Sequence, residues 1–143
     1  MSSTSGPAAR SLNQLVAAVF GAVYVLVGIL GFFVHSDGFA ATSGGKLLGL
    51  FEVNPLHNIA HILIGAVLLG AARAGVAAAK GVNIAIGTAY LLLGVVGLFI
   101  LSSSANILAL NGADNGLHFA SALVLLVVGV TAKGRAVSER STV

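Results

Sequence analysis

Asn54, His57, Asn58 and His61 fall within the run "VNPLHNIAHILIGAVLLG" at spacings of three, one and three residues. Residues three and four apart share one helical face, so the four side chains form a polar stripe about two turns long. A shorter stripe follows later, with Asp114 or Asn115, His118 and Ser121. Two histidines one turn apart on a helix, joined by a third from another helix, make a workable ligand set for zinc or copper: His57, His61 and His118. Asp114 and Glu52 offer carboxylates beside them. The H-E-x-x-H pattern of zinc hydrolases is absent, because position 58 is Asn and no acid stands in for the general base, so hydrolysis is disfavoured. Facing histidines at equal depth would alternatively suit a membrane redox protein, ligating a haem axially or meeting a quinone. A further reading needs no reaction at all: a buried hydrogen-bonded pair, an ordered water network or a small bound ligand. No catalytic signature elsewhere in the chain names a substrate, and the balance leans away from an enzyme.

These stripes interrupt stretches that otherwise belong in lipid. The chain of 143 residues is 57% hydrophobic and 8% charged, with a mean hydropathy of +1.04, whereas soluble domains carry about 25% charged residues. Four runs approach or reach the roughly 20 helical residues needed to cross a hydrocarbon core: Leu15 to Val34, Leu56 to Ala72, Val82 to Leu101 and Gly116 to Ala132. Open sheet would leave backbone groups unpaired in lipid, and the runs are too long for the strands of a membrane barrel. The expectation is an all-α bundle of four transmembrane helices over residues 13–132, multi-pass in a cell membrane. Residues 1–12 would form a disordered cytoplasmic tail and 133–143 a basic one. Asn54 before Pro55, and Asn115 in the later stripe, suit helix caps, while His35 ends the first run as a solvated loop residue. With no cysteine in the chain, disulfides and thiolate-bound metal are excluded.

Arg10, Arg73, Lys80, Lys133, Arg135 and Arg140 fall before the first run, between the second and third, or after the fourth, and only Lys46 lies on the other side. The positive-inside rule then places both termini and the 73–81 connection in the cytoplasm. A nucleic-acid surface would need clustered Lys and Arg with interleaved aromatics, and none is present. The partner the composition calls for is the lipid bilayer, with a homo-oligomer or other membrane proteins as further candidates. Four short spans leave little room for the alternating access of a transporter.

The halves resemble each other. In "GAVYVLVGILGFF" and "GTAYLLLGVVGLF", Gly21, Tyr24, Gly28 and Gly31 match Gly87, Tyr90, Gly94 and Gly97 at an offset of 66, and "NPLH" matches "NGLH" at an offset of 61. The pattern reads as two tandem helical hairpins, 13–72 and 82–132. Each has an even number of spans, so both point the same way about an axis along the membrane normal. A first run with a later copy belongs to the fold and is not a cleaved signal. In this alignment His57 and His118 become mates of similar depth. The Gly and Tyr positions share one helical face and serve close helix packing. The alternative is that Gly28, Gly31, Gly94 and Gly97 leave a slot for a flat ligand beside the histidines.

The segments "NPLHNIAHILIGAVLL" and "NGADNGLHFASALVLL", each following a span that bears Gly and Tyr, resemble the four-helix actinobacterial membrane proteins of domain of unknown function family 4383. The resemblance covers about residues 13–132. It implies an integral protein of the bacterial cell membrane and carries over no substrate, cofactor or catalytic residue.

Overall fold

The computed structural model describes residues 10–133. In chain order it contains α1 (Leu12–Gly31), β1 (Gly45–Leu47), β2 (Phe51–Val53), α2 (Pro55–Ala74), α3 (Val76–Ile100) and α4 (Gly112–Thr131). All four helices are long and apolar enough to cross a membrane, and they pack as a bundle. The expectation of loose tails over 1–9 and 134–143 lies outside the described residues. Ser11 and Leu12, assigned to the tail from sequence, instead open α1: the Ser11 hydroxyl accepts from the Gln14 amide at 3.2 Å, and the Gln14 side chain accepts from the Ser11 amide at 3.2 Å. This reciprocal capping satisfies two of the donors that a helix start leaves free.

Caps also set the later helices. Asn54 accepts from the His57 amide at 2.9 Å, with Pro55 in the first turn where its missing N–H costs nothing. At α4 the cap is Asn111, which accepts from the Asp114 amide at 2.9 Å, while the Asp114 carboxylate accepts from the Asn111 amide at 3.0 Å. Asn115, expected as that cap, lies one turn inside α4 and is buried. The difference arises because Asn111 and Asp114 complete a capping box one turn earlier.

The expected 73–81 connection shrinks to Gly75. Its φ of 129° is a conformation that L side chains rarely adopt, and it turns the chain directly from α2 into α3. Residues 76–81, Val-Ala-Ala-Ala-Lys-Gly, are mostly strong helix formers and extend α3 backwards. The longer 32–54 connection holds a small antiparallel ribbon that the helical reading did not anticipate, pairing Gly45 with Val53 and Leu47 with Phe51. It turns through Leu48 and Gly49, with φ of 54° and 70°.

Helix α1 packs chiefly on α2 and α3 on α4, whereas contacts between the two hairpins are far fewer. Close approach within the first hairpin depends on glycine. A Cβ at Gly21 would fall 2.8 Å from the Gly65 carbonyl oxygen, and one at Gly28 would fall 2.6 Å from that of Asn58. The interior is polar for a bundle of this size, with Asn13, Asn54, His57, Asn58, His61, Asn83, Asp114, Asn115, His118 and Ser121 all buried. The exterior of the helices shows Leu15, Val19, Val23, Leu63, Leu92 and Leu123. Such a distribution suits lipid as solvent, where exposed apolar surface costs little and polar groups turn inward.

Candidate functional site

One turn separates His57 from His61 on α2, and α4 brings His118 against them. The His57 and His61 ring centroids lie 4.4 Å apart, and those of His57 and His118 lie 6.0 Å apart. A nitrogen from each of the three rings lies within 4.8 Å of the others, and all three residues are buried. Two tyrosines close the cluster. Tyr24 of α1 stacks on His61 with centroids 5.4 Å apart and planes 18° apart. Tyr90 of α3 stacks on His118 at 5.0 Å and 26°. The tyrosine rings meet each other at 5.3 Å, so every helix contributes a side chain to one central polar layer.

That layer is short of hydrogen bonds. The Tyr24 and Tyr90 hydroxyls, both ring nitrogens of His57, and Nδ1 of His61 and His118 are buried without a hydrogen-bond partner. Buried polar atoms are normally paired, and each one left single costs about 1–3 kcal/mol. Six of the nine unpaired buried side-chain atoms among the described residues belong to this one layer. Ser121 lies beside the Tyr24 hydroxyl at its edge.

The remaining expected site residues have other work. Asn54 is saturated: besides capping α2, its side-chain amide donates to the carbonyls of Ala41 and Ile107, at 2.8 Å each, joining both loops at this end of the bundle. Asp114 is likewise occupied, accepting from the amides of Asn111 and Glu52 at 3.0 Å each, and it is absent from the ligand cluster. Asn58 fills the space beside Gly31, and Asn115 fills the space beside Gly97. With the Phe119 ring against Gly94 and the Asn58 backbone against Gly28, the expected slot at these four glycines is filled by the protein itself. His35 stays outside, exposed and 3.4 Å from Asp37.

The family model described as Domain of unknown function (DUF4383) matches residues 14–131. The chain belongs to this family. No curated protein and no solved structure matches it. In this DUF4383 chain the matched span runs from the first turn of α1 to the end of α4 and so contains the whole histidine and tyrosine layer.

In the sequence Tyr24 and Tyr90 read as packing residues alone. The signal for a larger role was their depth: tyrosine favours the ends of membrane spans, yet Tyr24 is the thirteenth of the twenty residues of α1. Asn13 and Asn83, also missed, meet at the opposite end of the bundle, where the Asn83 side-chain amide donates to the Asn13 side-chain oxygen at 3.0 Å and to its carbonyl at 3.1 Å.

Proposed function

We propose that this small bacterial membrane protein binds one transition-metal ion through His57, His61 and His118. The observation that carries the reading is the coincidence of three convergent imidazoles with the concentration of unpaired buried polar atoms around them. Imidazole suits both zinc and copper. Tetrahedral ligands on a Zn–N bond of 2.0–2.1 Å stand about 3.3 Å apart, so nitrogens within 4.8 Å of one another need to close by no more than about 1.5 Å when the ion enters. The adjacent Tyr24 and Tyr90 rings support the imidazole planes from either side. Because the three ligands are neutral and Asp114 is engaged as a cap, the ion's charge is compensated poorly, and the cost of burying it rises with the square of the charge. Cuprous ion is therefore the least costly occupant and zinc the next. Axial haem ligation is disfavoured, since the glycine faces that were to admit the ring are filled.

The tandem-repeat reading is supported by matched contacts rather than by the "NxLH" pairing. An offset of 66 relates Tyr24 to Tyr90 and Gly31 to Gly97, while an offset of 57 relates Asn54 to Asn111, Asn58 to Asn115 and His61 to His118. In this register the two tyrosine–histidine stacks, the two glycine–asparagine contacts and the two caps are equivalent. His57 then corresponds to Asp114 and Ser121 to Ile64, so the third histidine breaks the symmetry of the other two. With the basic residues inside, the cluster lies toward the extracytoplasmic half of the bilayer.

Metal analysis of the purified full chain, loaded with zinc or with cuprous ion and then desalted, tests this reading. About one ion per chain is expected in the wild type and in His35→Ala, with loss in His57→Gln and in His118→Gln. Far-ultraviolet circular dichroism separates loss of metal from loss of fold. Failure of the folded wild type to retain either ion would refute the proposal.

A further inference from the structure

The ribbon of β1 and β2 carries large apolar side chains at its tip, where a connection in water ordinarily carries polar ones. Leu47 and Val53 turn inward and are buried, while Leu48 and Leu50 are 84% and 55% exposed. Leu48 also takes a φ of 54°, a conformation unfavourable for a bulky side chain and readily adopted by Gly or Asn. Neither the turn nor the core accounts for leucine at this position. The ribbon runs between two helix ends. On one side Gly45 fits so closely beside Val34 and His35, just past the end of α1, that a Cβ would have no room. On the other, the Asn111 side-chain amide donates to the Leu50 carbonyl at 2.8 Å, tying the tip to the cap of α4.

We infer that the ribbon tip, through Leu48 and Leu50, is a lipid-binding surface bedded at the boundary between acyl chains and headgroups beside α4. Its level in the bilayer decides the occupant. Helix α4 has 20 residues, about 30 Å at 1.5 Å per residue, which matches a hydrocarbon core of about 30 Å. Its cap Asn111 therefore falls at the boundary, and Leu50, one hydrogen bond away, falls there too. The tip thus extends the apolar exterior of the helices outward instead of standing clear of the membrane. Charge agrees with this placement: Lys46, exposed two residues before Leu48, can lay its stem along the apolar tip and set its ammonium among lipid phosphates. The usual interfacial anchors are also missing, since the chain has no tryptophan and both tyrosines lie in the central layer. The inference is independent of the histidine site and holds whether or not a metal ion binds there.

Because the chain lacks tryptophan, one introduced at the tip reports alone. Leu48→Trp is compared with Ser43→Trp, an exposed site in the same connection, each in the full chain at one chain per phosphatidylcholine nanodisc. Acyl-brominated phosphatidylcholine is expected to quench Leu48→Trp several-fold more than Ser43→Trp, and aqueous iodide to quench the two in the opposite order. The emission of Leu48→Trp should also lie to the blue of the control. Leu50→Trp, whose backbone is outside the left-handed region, gives the same readout if Leu48→Trp disturbs the turn, and circular dichroism checks each fold. Equal iodide quenching at tip and control, with no effect of brominated lipid, would place the tip in water and overturn the inference. Shielding from iodide that arises only when several chains share a disc would assign the surface to a second copy and overturn it equally.

Discussion

Tyr24 lies nearly parallel to His61, with 5.4 Å between ring centroids, and its hydroxyl is buried without a partner. The ring and the hydroxyl therefore make separable contributions. Tyr24→Phe keeps the stack and removes an unpaired polar atom, so its stability in detergent should stay within about 1 kcal/mol of wild type, with metal retained. Tyr24→Ala opens a cavity and should cost about 3 kcal/mol, with a 10–100-fold loss of metal affinity as the imidazole loses its support. Thermal unfolding and metal competition measure the two effects. Loss of metal in Tyr24→Phe alone would make the phenol oxygen a ligand.

The glycines of α1 and α2 differ sharply in what surrounds them. A Cβ at Gly28 meets the Asn58 carbonyl, while one at Gly70 meets nothing within 4 Å. Gly28→Ala should push α1 from α2 and cost about 1–3 kcal/mol, whereas Gly70→Ala should be neutral or stabilising by up to about 1 kcal/mol. Comparison of the two melting temperatures under one detergent checks this pair.

Asp114 holds two backbone amides and no histidine. Asp114→Asn keeps an accepting oxygen and should leave both fold and metal binding in place. Asp114→Ala removes the carboxylate half of the capping box and the tie to Glu52, and should destabilise by about 2 kcal/mol. Metal loss in a stably folded Asp114→Asn would return the carboxylate to the ligand set.

The run of apolar residues made the four spans plain from sequence, and the four-residue spacing of His57 and His61 made their shared face plain as well. The helix ends were harder. Ser11, Asn111 and the 76–81 segment each lengthened a helix, because capping side chains and alanine propensity act where hydropathy is already falling. "NPLH" and "NGLH" share letters, but the second motif lies one turn deeper in its helix than the first, a difference in helix start that the letters do not show. The two tyrosines were seen as a repeated packing face. Their contact with the imidazoles depends on how the hairpins rotate against each other, which no linear pattern records.

At the far end of the bundle the Asn83 side-chain amide donates twice to Asn13, joining α3 to α1. Asn83→Ala should cost about 1–3 kcal/mol by leaving the Asn13 side-chain oxygen unmatched, and adding Asn13→Ala should cost less in that background than alone. A double-mutant cycle by thermal unfolding measures the coupling. Strictly additive losses would show that the pair does not act as one unit.

The absence of cysteine allows the orientation to be read directly. Ser43→Cys, in the long connection, should react with a membrane-impermeant maleimide on intact cells, while Ala77→Cys, next to Gly75, should react only after lysis. The reverse pattern would place the histidine layer in the cytoplasmic half.

With Gly75 alone between α2 and α3, the two hairpins are bound along one edge like the leaves of a book. The opposite edge is fastened at its two ends: by Asn13, which donates to the Ala132 carbonyl at 3.5 Å, and by the Glu52 amide on Asp114 at 3.0 Å. Movement of one hairpin against the other would therefore pivot about Gly75 and be limited by those two ties.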